Sequence, residues 1–151
     1  TLNPSSAASD VYKRQGALVA SRDGARGFFV VSLAGDSALM DRLPDALLIK
    51  LREAGDGVVD LTARNLAMSA AMAVHHRNNN DDEQAAGSER VNQRCSELLR
   101  QLDSQRVKDR LEILLEAANH SRGEDLAFLE RWGYDEHQKQ AIGEAVQAVA
   151  E

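Results

Sequence analysis

Aliphatic residues recur at intervals of three and four in the C-terminal half of the chain, and this spacing constrains the fold more than any other feature. Because 3.6 residues make one helical turn, such a series forms an apolar stripe along one face of an α-helix. A short link around Asp103 separates two series, which predicts an antiparallel helical hairpin. The two series are Val91, Cys95, Leu98 and Leu102, then Val107, Leu111, Leu114 and Ala118.

Another helix is predicted upstream of this hairpin, over residues 58–77. The segment is rich in Ala, Ser and Met, with Leu61, Met68 and Met72 on one stripe. A helix that is apolar on most sides and lined by small residues favours a central position, where neighbouring helices approach closely. The three asparagines 78–80 are expected to end it, because Asn favours turns.

Residues that cap helices predict the remaining boundaries. Pro44 is expected to start a helix that runs to about Ala54, and Gly133 to end a short helix that contains Trp132. Side chains that accept a hydrogen bond from the first helical turn predict the N-caps. These are Asn80, Ser104, Ser121 and Asp135. The last helix is expected to bury Ile142, Val146 and Val149.

The segment Phe28–Val31 is compatible with a buried strand or with part of a helix over residues 22–34. Only Val58 and Val59 offer a second strand, and a lone strand would leave its backbone groups unpaired. We therefore predict a helix at this position. The expected fold is all-α, a single-domain bundle of five or six helices over residues 16–151.

The acidic composition argues against nucleic-acid binding. The chain has 151 residues, enough for one domain, and a formal net charge of −6, which repels phosphate backbones. Arg90, Arg94 and Arg100 alternate with Glu89 and Glu97. This pattern is typical of a solvated helix face, so we expect no nucleic-acid partner.

Cys95 is the only cysteine, which favours a reducing compartment. No apolar run approaches the roughly 18 residues that a bilayer span requires. We therefore expect a cytoplasmic protein without membrane contact. Cys95 also lies within an aliphatic stripe, which is typical of a small core residue rather than a nucleophile.

Five residues form the only candidate metal site that the sequence suggests. Glu112, Glu116 and His120 recur every four residues on one predicted helix, and His75 and His76 close another. Helical bundles bind metals through carboxylates and imidazoles from facing helices, but their Glu-x-x-His pairs are absent here. A metal-binding or metal-dependent enzyme is therefore the alternative hypothesis, and the leading expectation is no metal.

Two further segments depart from the patterns of known ligand loops. The acidic run Asp81–Glu83 lacks the alternation and central Gly of a calcium loop, and it suits the first turn of a helix. The segment Gly24–Gly27 is too short for a phosphate loop and has no following Lys. We expect no cofactor and no catalytic residue.

Two stretches carry resemblances to known proteins. Residues 128–145, with Trp132-Gly133-Tyr134 at a turn, resemble the first loop and second helix of ubiquitin-associated-type three-helix domains, which implies a tight helix–turn–helix. The stretches GFFVVSL from Gly27, NLAMSAAMAVHH from Asn65 and GSERV from Gly87 resemble uncharacterised conserved helical proteins of cyanobacteria and plastids. That likeness implies an ancestry but no reaction; a homodimer and a partner of a photosynthetic complex are both open under the interaction hypothesis below.

Residues 5–15, SSAASDVYKRQ, resemble the translation of a sequencing adaptor found in metagenomic reading frames. We therefore expect residues 1–15 to be a non-native, disordered leader. The chain begins at Thr1, so we expect the native N-terminus, with any targeting peptide, to be missing.

Helix-forming features without a convergent catalytic set favour a small interaction or assembly protein. Such a protein would act on a protein partner or as a homo-oligomer. The Ala- and Met-rich central helix is expected to line its binding groove.

Deletion of residues 1–15 should leave the melting temperature unchanged or slightly raised, because the segment has no core periodicity. Thermal unfolding followed by circular dichroism tests this. A loss of several degrees would show that the segment packs on the fold.

Overall fold

The computed structural model describes residues 45–150, where the chain forms six α-helices and no strand. The all-α prediction is confirmed for this range. The expectations for Phe28–Val31, Gly24–Gly27 and residues 5–15 lie outside the described residues. The helices are α1 (Asp45–Glu53), α2 (Asp56–Asn78), α3 (Asp82–Gln101), α4 (Ser104–His120), α5 (Leu126–Arg131) and α6 (Glu136–Ala150). None of these six helices is both long enough and apolar enough to cross a bilayer.

The chain divides into two compact units, residues 1–58 and 59–151. In the first unit the structure describes α1 and the first residues of α2. Helix α1 buries Leu47 and Leu51 four residues apart, while Ile49 on its other side is 52% exposed. The helix ends at Glu53, close to the predicted end at Ala54.

The second unit is a helical bundle in which α4 and α6 pack most extensively. Helix α3 packs on both of them, which confirms the α3–α4 hairpin, and α5 packs on α4. Gly143 of α6 allows this helix to approach α4 closely, because a Cβ at this position would lie 2.7 Å from Asn119 Oδ1 of α4. The largest fully buried side chains of this unit include Leu66, Leu98, Leu99, Leu114, Leu129 and Ile142.

Helix α2 is apolar on most sides, as predicted, but its buried face differs from the predicted stripe. Leu61, Met68 and Met72 are only half-buried, whereas Leu66 and Ala71 are fully buried. Polar side chains of other helices reach the backbone on the buried side. Asn92 Nδ2 of α3 donates to Leu66 O at 3.1 Å and to Ser69 Oγ at 3.2 Å, and Gln138 Nε2 of α6 donates to Ala71 O at 3.1 Å. The small residues of α2 make this approach sterically accessible.

Three predicted N-caps are wrong. The carboxylate of Asp81 caps α3 and that of Asp103 caps α4, each by accepting from a backbone N–H three residues later. Asn80 instead lies in the left-handed region at φ 58°, and Ser104 is the first residue of α4. Ser121, also left-handed at φ 51°, ends α4 rather than starting α5. Aspartate competes well for the cap because its charged oxygens face the positive end of the helix.

Two boundaries near the C-terminus match the prediction. Gly133 follows α5 with a φ of 65°, a conformation that glycine adopts without steric cost. Asp135 and Gln138 form a capping box at the start of α6. Gln138 N donates to Asp135 Oδ1 at 2.8 Å, and Asp135 N donates to Gln138 Oε1 at 3.0 Å.

The arginines of α3 do not share one solvated face, contrary to expectation. Arg94 is only 3% exposed and lies among the core residues. Arg100 is exposed but reaches the last turn of α6, where Nη2 donates to Ala148 O at 2.6 Å. A cation at a helix C-terminus satisfies carbonyls that have no partner within the helix. These two side chains therefore serve the fold.

Leu98→Ala should lower the free energy of unfolding by about 2–5 kcal/mol, because Leu98 is buried at the α3 stripe and its truncation leaves a cavity. Chemical denaturation measures the change. A loss below about half a kcal/mol would contradict the described packing of α3.

Candidate functional site

An apolar groove opens on the second unit between α4 and the C-terminal ends of α3 and α6. Its volume is about 510 Å³. Sites for small molecules and for protruding side chains have volumes of roughly 300–1,000 Å³ and are mostly apolar. The lining residues are Leu99, Arg100, Ser104, Val107, Lys108, Leu111, Glu112, Leu115, Val146, Gln147, Val149 and Ala150.

The spacing of aliphatic residues on α4 forms the floor of the groove. Val107, Leu111 and Leu115 follow at intervals of four, so they form one row along the helix. At 1.5 Å per residue the row is about 12 Å long. Val146 and Val149 of α6 form the opposite wall. The row therefore extends over about two turns of α4.

Two opposite charges stand on the α4 rim of the groove. Lys108 and Glu112 are one turn apart, and both are exposed. Within residues 45–150 neither side chain has an ion-pair partner. Opposite charges four residues apart on a helix often pair with each other. Arg100 adds a second cation near the Lys108 end, where it also pairs with Glu97 at 2.8 Å.

An acidic cleft borders the other end of the groove. It shares Glu112 with the groove and also contains Asp109, Glu116 and Glu124, all of them exposed. Arg122 at the rim pairs with Glu116 at 2.9 Å. The cleft therefore adds three exposed carboxylates beside Glu112.

The predicted metal residues lie on exposed edges. Glu112, Glu116 and His120 are all exposed along α4, and Glu116 is paired with Arg122. Over residues 45–150, no three His, Cys, Asp or Glu side chains converge on a point where they could hold a metal ion. The convergence that the metal hypothesis needs is not found in this range.

The two histidines at the end of α2 contact each other and a turn residue. The rings of His75 and His76 meet edge to face, with centroids 5.4 Å apart. His75 Nε2 lies 3.1 Å from Asn79 Nδ2, in the turn that follows the helix. Nothing in these contacts aims an imidazole at a ligand.

Cys95 lies in the core, as expected. Its side chain is fully buried on α3, and burial raises the pKa of the thiol to about 12. A thiol must lose its proton to act as a nucleophile. The environment of Cys95 therefore opposes nucleophilic chemistry.

The principal charged network of the bundle joins α2, α4 and α5. Arg110 of α4 binds the carboxylate of Asp125 with two hydrogen bonds, of 2.5 and 3.0 Å. Its Nε also donates to Asp60 of α2 at 3.0 Å, and Asp60 contacts Arg64 at 3.3 Å. Asp125 precedes α5 but makes no side-chain cap, because its oxygens are taken by Arg110.

Burial alone would lower the pKa of Arg110, but hydrogen bonds and charge from Asp125 and Asp60 raise it above its ordinary value. The guanidinium therefore stays charged and cannot donate a proton in a reaction. We interpret this network as structural.

Aromatic contacts position the turn between α5 and α6. Arg64 stacks over the Phe128 ring at 5.7 Å, and Phe128 meets Tyr134 edge to face at 6.5 Å. Tyr134 is buried and Trp132 is 53% exposed. The tight helix–turn–helix implied by the resemblance to ubiquitin-associated-type domains is present.

Residues 3–149 match the family model described as Uncharacterised conserved protein UCP020893. The chain belongs to this family. Membership of the UCP020893 family assigns no reaction and no partner. The match extends across residues 5–15, so the deletion of residues 1–15 tests whether that segment belongs to the fold. No curated protein and no solved structure matches the chain.

The sequence did not point to the groove or to the charged network. Val107 and Leu111 belong to the predicted stripe with Leu114, but Leu115, which directly follows Leu114, was not part of that stripe. Nothing in the sequence marked Lys108 as part of a site, because an isolated lysine on a helix is common. The pairing of Arg110 with Asp125 depends on the turn after α4, which local sequence rules placed incorrectly.

Asp125→Asn should lower the free energy of unfolding by about 3 kcal/mol, because it leaves the buried Arg110 without its main carboxylate. Asp60→Asn is the matched control. Its carboxylate is 42% exposed, so a loss below about 1 kcal/mol is expected. Urea denaturation of both variants tests the difference. Equal losses would contradict the central role of Asp125.

Proposed function

We propose that this protein is a non-catalytic interaction protein, which binds an amphipathic helix of a partner protein in the groove between α3, α4 and α6. The observation that carries the proposal is the apolar groove itself, with its row of Val107, Leu111 and Leu115. Val107 and Leu111 are already buried, whereas Leu115 is half-buried, so a partner that docks in the groove would cover the remaining apolar surface of Leu115.

The dimensions of the groove suit a helix. Amphipathic helices dock through apolar anchors at positions such as i, i+4 and i+7. Those anchors span about 11 Å, close to the roughly 12 Å of the α4 row. The anchors would lie between the α4 row and Val146 and Val149 of α6.

The charge of the chain argues for a different protein rather than a second copy. Two copies, each with a formal net charge of −6, repel one another. Lys108 on the rim has no ion-pair partner within residues 45–150, so an acidic residue beside the anchors would pair with it. The proposed occupant is therefore a helix with three apolar anchors and at least one acidic residue.

Several observations support binding rather than chemistry. The Cys95 thiol is buried with a raised pKa, and Arg110 is held between two carboxylates. The groove floor is aliphatic.

A model peptide tests the proposal. The probe is a capped, fluorescently labelled Ala- and Gln-based helix of about four turns, with three leucines spaced four and three residues apart and one Glu beside them. Fluorescence anisotropy should show saturable binding to the full chain. Nuclear magnetic resonance shift changes should concentrate on residues that line the groove.

Leu115→Gln should weaken peptide binding by about tenfold, because it places a polar group in the apolar floor. Ile113→Gln is the matched control: Ile113 is equally half-buried on α4 but lines the acidic cleft instead of the groove. Its affinity should change by less than about twofold.

Two results would overturn the proposal. One is an absence of saturable binding to a folded protein. The other is a concentration-dependent dimer in sedimentation experiments that Leu115→Gln dissociates, since the occupant would then be a second copy.

A further inference from the structure

The walls of the groove cover most of its aliphatic surface. Four of its side chains are each no more than 8% exposed, namely Val107, Leu111, Val146 and Val149. Leu115 is half-buried and gives a partner its first apolar contact. Apolar anchors gain affinity by covering side chains that water reaches before binding. A helix whose anchors lie between α4 and α6 therefore docks only after these two walls have moved apart.

The last turn of α6 is the part of these walls that moves most readily. Helix α6 ends at Ala150, and the last four carbonyls of a helix have no donors within it. Local opening of helix ends requires less free energy than opening of helix interiors. Val149 and Ala150 both line the groove, so a movement of this turn widens it.

Arg100 of α3 holds this turn against the bundle. Its Nη2 donates to Ala148 O at 2.6 Å, and its Nε donates to Val149 O at 3.4 Å. Its Nη1 donates to Glu97 Oε1 at 2.8 Å, which orients the guanidinium from α3. Hydrogen bonds from a charged donor are stronger than those between neutral groups, and a cation is favoured at a helix C-terminus.

We infer that Arg100 forms an autoinhibitory contact, which keeps the α6 end of the groove closed until a partner helix displaces the last turn of α6. This inference rests on the proposed function. Opening breaks the two bonds to α6, whereas the pair with Glu97 is retained because both residues belong to α3. When the competent state is a small fraction of the molecules, the apparent affinity falls by that fraction. The Arg100 contact therefore weakens binding.

The variant Arg100→Gln removes the charge and is too short to reach both carbonyls. The probe is a neutral form of the leucine peptide, with Gln in place of its Glu, so that loss of the arginine charge does not change the affinity by attraction. The dissociation constant should fall by about fivefold, because the open state is more populated. Hydrogen exchange of the amides of residues 147–150 should quicken by about fivefold, while the amides of α4 stay protected.

Arg77→Gln is the matched control. Arg77 is also an exposed arginine that pairs with a glutamate, Glu89, but it lies on α2 and does not line the groove. This variant should leave the peptide affinity and the exchange of residues 147–150 unchanged. Circular dichroism and melting temperature confirm that each variant is folded.

The native full chain provides a second measurement that needs no substitution. Saturating peptide should release Arg100 Nε–H from Val149 O, so the exchange of this proton with water should quicken in nuclear magnetic resonance spectra. The amides of residues 147–150 should lose protection in the same complex.

The outcomes separate the two proposals. Tighter binding by Arg100→Gln, together with release of Arg100 in the native complex, supports the inference. Equal or weaker binding by the variant overturns it, and so does a native complex in which the Arg100 contact stays protected. In both of these cases binding itself still supports the groove. If neither the native chain nor the variant binds, the proposed function fails and this inference fails with it.

Discussion

The ion pair between Arg110 and Asp125 is the interaction on which the second half of the bundle depends. Helix α5 has six residues, too few to be stable by local hydrogen bonding alone. It is held by burial of Leu129 and by the carboxylate that Arg110 binds from α4. The α5–α6 turn follows directly, and α6 supplies one wall of the groove. A buried pair of this kind contributes specificity of arrangement more than net stability.

Helix α4 combines two tasks on different faces. One face carries Arg110 and the buried Leu114, which fix the helix within the bundle. Another carries the half-buried Leu115 and the exposed rim charges of Lys108 and Glu112. Because the first face is rigidly held, the second is preorganised, and a ligand that docks there loses less free energy to ordering the protein. The proposed binding surface thus depends on contacts that no ligand touches.

The sequence predicted the positions of the helices better than their caps or the candidate site. Periodicity predicted α2, α3, α4 and α6 and the all-α class, because burial of an apolar stripe dominates helix formation. Caps were less predictable. Asp103 rather than the predicted Ser104 caps α4, because the side-chain oxygens of adjacent residues compete for the same N–H groups. The candidate site was not predicted, because the groove depends on how closely α3 and α6 approach α4. The burial of Arg94 was likewise not predicted, because it depends on tertiary contacts.

Gln138 links local and long-range structure in one side chain. Its Oε1 completes the cap that starts α6, while its Nε2 bonds to Ala71 of α2, far away in the chain. The Gln138 side chain makes both hydrogen bonds only when α2 is already in place. The start of α6 therefore forms cooperatively with the contact between residues 71 and 138. Bringing residues so far apart in the chain together has a large entropic cost, which makes such a step slow.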